Sequence, residues 1–162
     1  MEFSKQSGIY RLYNEQFLPI SIDHAWHFFS NPANLQTITP PELDFKITSP
    51  EEEDVYLGQI ITYSITLKKI FKMNWVTEIT SVNNGLSFVD EQRFGPYKMW
   101  HHMHKFKEVE GGVLISDIIH FKLPFSLIAP LLYRFFIKKD LINIFRHRTI
   151  KLEVLTSEDH FQ

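Results

Sequence analysis

The residues of this chain best suited to chemistry cluster in one stretch: Asp90, Gln92, His101, His102 and His104, followed by Asp117. Imidazoles and carboxylates in such a mixture can move protons, hold the polar end of a ligand or ligate a metal. Which of them meet depends on the backbone that carries them. Side chains alternate between the two faces of a β-strand, so Trp100, His102, His104 and Phe106 share one face while His101, Met103 and Lys105 take the other. The same alternation groups Leu86, Phe88, Asp90 and Gln92 upstream, and Val113, Ile115, Asp117, Ile119 and Phe121 downstream. Each set mixes large apolar residues with one or two polar ones, which points all three inward. A buried carboxylate is costly without a partner, and neighbouring imidazoles are natural partners. The expectation is a His/Asp network on adjacent strands.

Four roles fit such a network. Inward polar residues can satisfy one another and fix the register of three strands. They can orient the polar end of an otherwise apolar ligand. His102 or His104 with Asp117 can act in acid–base catalysis of the cyclase or dehydratase type. Least supported is a metal site: His102-x-His104 offers two same-face ligands, but no third stands at a recognisable spacing, and Asp90 or Asp117 would have to complete the set. No metal and no cofactor are therefore assigned. His101 lies on the opposite face and does not extend the pair into a metal-binding tract.

The elements that must position these residues follow from periodicity. Ile9 to Leu18 alternates as a strand closed by Pro19, and Ser21 is a plausible N-cap for a short helix through Phe29 that Asn31-Pro32 stops. A second helical turn covers Ala33 to Ile38. Period-two patterning then gives strands near 43–47, 58–67, 71–82, 86–93, 98–109 and 113–123, with turns at Asn83-Asn84-Gly85, Gly95-Pro96 and Gly111-Gly112. Residues 126–155 read as one long helix with Pro130 in its first turn and a stripe of Ile137, Leu141, Ile144, Phe145, Arg148 and Leu152. The fold class is thus α+β: a curved seven-stranded antiparallel sheet, two short helices, and a long C-terminal helix over the concave face, enclosing a cavity.

Bulk properties narrow the partners. The 162 residues suit a single domain spanning 1–162, and the 15 Phe, 6 Tyr and 3 Trp suit a ligand cavity. A net charge of −2 argues against nucleic acid, which needs a basic surface. With no cysteine, disulfides, thiolate metal sites and cysteine nucleophiles are excluded. No apolar run reaches the length of a membrane span, so stable insertion is not expected and a cytoplasmic location is. The C-terminal helix carries Arg134, Lys138, Lys139, Arg146, Arg148 and Lys151 against Asp140, a solvated face that could also touch an anionic membrane transiently. The acidic run Glu51-Glu52-Glu53-Asp54 reads as a solvated loop.

One stretch is familiar. Asp90-Glu91-Gln92 with Gly95-Pro96, then Trp100-His101-His102-Met103-His104-Lys105-Phe106, then Gly111-Gly112 with Asp117 and Leu123-Pro124, resembles the START-like SRPBCC group. The branch pairs D-x-Q…G-P with W-x-H-x-H-x-F and G-G-x-x-x-x-D, and is often labelled "cell division inhibitor" through association with an epimerase-like protein. Met103 departs from the threonine expected between the two histidines. The resemblance implies the Bet v 1-like helix-grip fold. The wider group includes polyketide cyclases, coenzyme Q-binding proteins and lipid carriers, so the fold does not choose among functions.

The leading expectation is non-enzymatic binding or transport of an apolar or aromatic small molecule between sheet and helix. The expected wall is Ile61, Tyr63, Ile65 and Trp75, then Phe88, Asp90 and Gln92, then Trp100, His102, His104 and Phe106, then Asp117, Ile119 and Phe121, with Ile137 and Leu141 from the helix. An enzyme using His102 or His104 with Asp117, and a regulatory partner of an epimerase-like protein, are the alternatives.

Overall fold

A computed structural model describes residues 1–50, 54–67 and 70–157; the acidic residues Glu51, Glu52 and Glu53 lie outside them. The strands are β1 (Glu2–Gln6), β2 (Ile9–Leu18), β3 (Lys46–Ile47), β4 (Ile60–Leu67), β5 (Phe71–Asn83), β6 (Ser87–Phe94), β7 (Met99–Val109) and β8 (Gly112–Lys122). The helices are α1 (Ile22–Ser30), α2 (Ala33–Thr37), α3 (Ala129–Leu132) and α4 (Lys138–Ser157). A 3₁₀ turn covers Pro41–Leu43, and a π-helical turn, Tyr133–Ile137, joins α3 to α4.

All eight strands form one antiparallel sheet in the order β1-β2-β8-β7-β6-β5-β4-β3. The expected seven strands become eight because Glu2–Gln6 pairs with β2. Its sequence, EFSKQ, has one apolar residue and is mostly exposed, so no hydrophobic period marks it. It is held by backbone hydrogen bonds at the sheet edge, where charge and polarity are normal.

Two further boundaries moved. Only Lys46–Ile47 of the 43–47 strand pairs, because Asp44 takes a left-handed conformation (φ 41°) that breaks extension just before Phe45. The single helix over 126–155 starts three residues late and is interrupted by the π turn. Phe125 (φ 57°) makes the corner that precedes it. Pro130 does occupy the first turn of α3, where its missing N–H removes no helical hydrogen bond. Ser21 caps α1 by accepting from the His24 backbone N–H at 3.2 Å.

The core forms at both ends of the helix. Under α1, Leu18, Ile79, Phe88, Phe106 and Leu152 pack together, and Trp26 stands edge-on to Phe88 and Phe106. At the other end, Tyr10, Leu12, Ile119, Phe121, Leu141 and Phe145 fill the space between β2, β8 and α4. Between these plugs the side chains do not meet, and a cavity remains.

One glycine is required by close approach. A Cβ on Gly112 would lie 2.2 Å from the Leu18 carbonyl oxygen and 3.0 Å from the Phe17 ring. Gly112→Ala is expected to force the β8–β2 junction apart and cost about 1–3 kcal/mol. A urea midpoint equal to that of the parent would refute this.

Candidate functional site

The polar centre sits on β6, β7 and β8. Direct cross-strand pairing sets Asp90 opposite His102 and His104 opposite Asp117. The shortest contacts run on the diagonals, with His102 Nε2 to Asp117 Oδ1 at 2.9 Å and His104 Nε2 to Asp90 Oδ2 at 2.9 Å. The direct pairs are longer: His102 Nδ1 to Asp90 Oδ2 is 3.3 Å and His104 Nδ1 to Asp117 Oδ1 is 3.3 Å. That last approach lacks hydrogen-bond geometry, so His104 Nδ1 is close to a carboxylate yet makes no hydrogen bond. The two rings are 3.8 Å apart, and Phe88 stacks on His104 at 4.2 Å. The expected His/Asp network is present.

Arg148 completes it. Its Nη1 reaches Asp117 Oδ1 at 3.4 Å from α4, while Nε makes no hydrogen bond. Sequence reading placed Arg148 both in the packed stripe and among the basic residues of a solvated face; the stripe holds, since Arg148 is only 8% exposed. The signal was available: Arg148 lies in the buried stripe with Leu141, Phe145, Leu152 and Leu155, and a charge there needs an opposite charge on the sheet.

Burial opposes every charge in this cluster, and the pairing overcomes it. Burial alone would lower His102, but Asp90 and Asp117 raise its pKa to about 8. Burial would raise Asp90 and Asp117. His102 and His104 hold both below the ordinary carboxylate range, and Arg148 adds to the effect on Asp117. Around His102 stand Asp90 from β6, His104 from β7 and Asp117 from β8, with Arg148 from α4 held on Asp117.

The sign of the pH dependence follows. A histidine whose pKa is raised on folding contributes stability in full below its unfolded pKa of about 6.5, and the contribution is lost as pH rises through about 8. The size is on the order of 2 kcal/mol. The depressed carboxylates contribute above their unfolded pKa, and that part is lost only in acid. In EDTA-containing buffer, urea stability is expected to fall between pH 6.5 and 9, and His102→Gln to flatten that slope. A slope unchanged in the variant would assign it elsewhere.

The cavity beside this centre has a volume of about 740 Å³, within the range of small-molecule pockets. From the sheet its wall takes Ile61, Tyr63, Ile65 and Trp75, then Phe88 and Asp90. Trp100, His102, His104 and Ile119 continue it, and Ile137 and Leu141 close it from the helical side. Four residues expected in the wall stand elsewhere. Gln92 grips the turn before β7, donating to the Tyr97 carbonyl at 2.7 Å and accepting from its N–H at 3.1 Å. Phe106 lies in the core under α1, and Phe121 stacks on Tyr10 at 5.4 Å in the other core. Asp117 lies behind the imidazoles, outside the lining.

Sequence reading missed Thr77 and Tyr97. The Tyr63 hydroxyl lies 2.8 Å from the Thr77 hydroxyl, and burial raises the pKa of Tyr63. Tyr97 tilts against Trp100 at 4.7 Å, and burial raises its pKa too. Trp75 Nε1 is buried without a hydrogen-bond partner among the described residues. At the segment following β8, Phe125, Leu127, Ile128, Leu131, Phe135 and Phe136 are exposed, and Phe125 also borders the cavity. No described helix is long and apolar enough to cross a membrane.

No family model and no curated protein matches this chain. Solved structures do. Protein Ms6760 from Mycobacterium smegmatis is 16% identical, with TM-score 0.68 over 99% of both chains. A nucleoside-diphosphate sugar epimerase from Corynebacterium glutamicum is 24% identical with TM-score 0.59, covering 87% of this chain but 28% of its own. Ara h 8.0201 is 13% identical with TM-score 0.61, over 91% of this chain and 99% of its own. These likenesses establish the fold: an open antiparallel sheet with a long C-terminal helix, of the Bet v 1-like helix-grip kind.

Proposed function

We propose that this chain is a single-domain, cytoplasmic ligand-binding protein of the SRPBCC group that holds an apolar or aromatic small molecule without transforming it. The observation that carries this reading is the cavity of about 740 Å³, walled by aliphatic and aromatic side chains and given one polar corner by Asp90, His102, His104 and Arg148. Such a corner orients a ligand whose remaining surface is apolar. The cyclase- or dehydratase-type alternative has less behind it. Each of the four imidazole nitrogens already lies within 3.3 Å of a carboxylate oxygen, although both rings border the cavity.

The exposed apolar residues at 125–136, with the exposed Arg134 among them and Lys138 and Lys139 just beyond, support transient contact with an anionic membrane during ligand exchange. A second reading, partnership with an epimerase-like protein, is supported by the likeness to part of an epimerase chain. Co-purification with such a protein would test it.

Ligand binding is tested by native mass spectrometry of protein purified without denaturation, together with displacement of a solvatochromic dye. Wild type is expected to bind the dye. Leu141→Trp, which fills the cavity from α4, is expected to lose most of that binding while keeping its circular dichroism spectrum. Equal dye binding by a folded Leu141→Trp protein would overturn the reading.

A further inference from the structure

We propose that Asp90, His102 and His104 form a binding site for one divalent transition metal ion of the zinc or iron(II) class, open toward the cavity. The sequence offers two histidines at i and i+2; the fold supplies the third ligand from the neighbouring strand. One donor atom from each of the three residues lies within 4.8 Å of the others. Asp90 Oδ2 is 3.3 Å from His102 Nδ1 and 2.9 Å from His104 Nε2. Metal–ligand bonds of about 2.0–2.2 Å place neighbouring donors about 2.9–3.4 Å apart, from octahedral to tetrahedral geometry. Both separations fall within that range; the donor set as a whole spans up to 4.8 Å, so the two rings would close on a bound ion.

The second observation concerns the other nitrogen of each ring. His102 Nε2 and His104 Nδ1 both face the same atom, Asp117 Oδ1, at 2.9 and 3.3 Å. His104 Nδ1 lies near that oxygen without hydrogen-bond geometry, while His102 Nε2 hydrogen-bonds the carboxylate, so a proton held there leaves the His102 Nδ1 lone pair toward Asp90. This is the arrangement by which an outer carboxylate fixes the tautomer of metal-bound histidines. Arg148 holds that carboxylate from α4. Asp90, His102, His104 and Arg148 border the cavity while Asp117 does not, so the inner ligands are reachable and the supporting carboxylate is screened.

Two imidazoles and one carboxylate leave coordination positions free for a further oxygen or nitrogen donor, a set that suits zinc or iron(II) over magnesium or calcium. Binding would displace any proton from His102 Nδ1 and His104 Nε2, the ring atoms that face Asp90. The inference goes beyond the cavity's apolar ligand and stands without it: a metal-binding chain that takes up no dye would sink the proposed function alone.

The test titrates EDTA-stripped, full-length protein with Zn²⁺ by calorimetry and with Co²⁺ by visible absorption. One equivalent is expected, with sub-micromolar Zn²⁺ affinity and low-symmetry d–d bands for Co²⁺. X-ray absorption on the wild-type zinc complex is expected to show imidazole scattering, a readout that needs no variant to fold. Asp90→Asn and His104→Gln are each expected to weaken binding at least about 100-fold, and Asp117→Asn about 10–100-fold. His101→Ala and His120→Ala, on the opposite face of the sheet, should bind as wild type does. Failure of Zn²⁺, Co²⁺ and Fe²⁺ to bind stoichiometrically would overturn the proposal, as would a zinc shell without imidazole or a site lost with His101 or His120.

Discussion

Asp117→Ala is expected to be among the most destabilising single substitutions in this protein, by about 3–5 kcal/mol. The reason is what it leaves behind. Asp117 is 4% exposed and faces three cationic or cation-forming groups: His102 at 2.9 Å, His104 at 3.3 Å and Arg148 at 3.4 Å. Removing it strands the Arg148 guanidinium between sheet and helix, 8% exposed and with no other acidic partner among the described residues. Two controls separate this from loss of an ordinary ion pair. Asp44→Asn breaks the exposed pair with Lys46 and should move the urea midpoint little. The double variant Asp117→Ala/Arg148→Met should recover part of the loss, because neither charge is then left alone. A single variant within about 1 kcal/mol of wild type would show that the cluster is not energetically coupled.

Phe121→Ala should come next, at about 3–5 kcal/mol. Phe121 is 0% exposed and contacts rings from four parts of the chain: Tyr10 on β2, Tyr97 before β7, Trp100 on β7 and Tyr133 in the π turn. Those rings cannot all collapse into the space left, so the cavity term adds to the lost burial. Ile65→Val in the ligand cavity wall removes one methyl group beside an existing hollow and is expected to cost about 0.5–1.5 kcal/mol. Thermal denaturation of the two variants side by side checks the ranking, and a smaller loss for Phe121→Ala would contradict it.

Much of this was legible because alternation is a strong signal in half-buried strands. The pairing of His102 and His104 with Asp90 and Asp117 followed from period two plus the cost of leaving a carboxylate alone. What stayed hidden had other causes. β1 is polar and edge-bound, so its evidence is the partner strand and not its own residues. The π turn at Tyr133–Ile137 shifts the helix register where Tyr133 stacks on Tyr10 at 4.0 Å, a tertiary contact with no local pattern. Gln92 shared the face of Asp90, yet its amide matched both backbone groups of Tyr97 more closely than it could match a cavity. Arg148 was read both in the apolar stripe and with the basic face, because a charge counts as exposed by composition; its place in the stripe required the buried partner that Asp117 supplies.

The order of the sheet also governs how the chain must assemble. From β4 to β8 each strand pairs with the next, so those contacts close through short loops. β2 is different, since Leu18 pairs with Val113 and Tyr10 with Phe121 across most of the sequence. Loop closure of that length carries a large entropic cost before any contact rewards it, and such topologies fold slowly. During synthesis β2 emerges well before β8, the strand it pairs with. Throughout that interval Tyr10, Leu12 and Leu18, all buried in the finished protein, stay open to solvent and to chaperones.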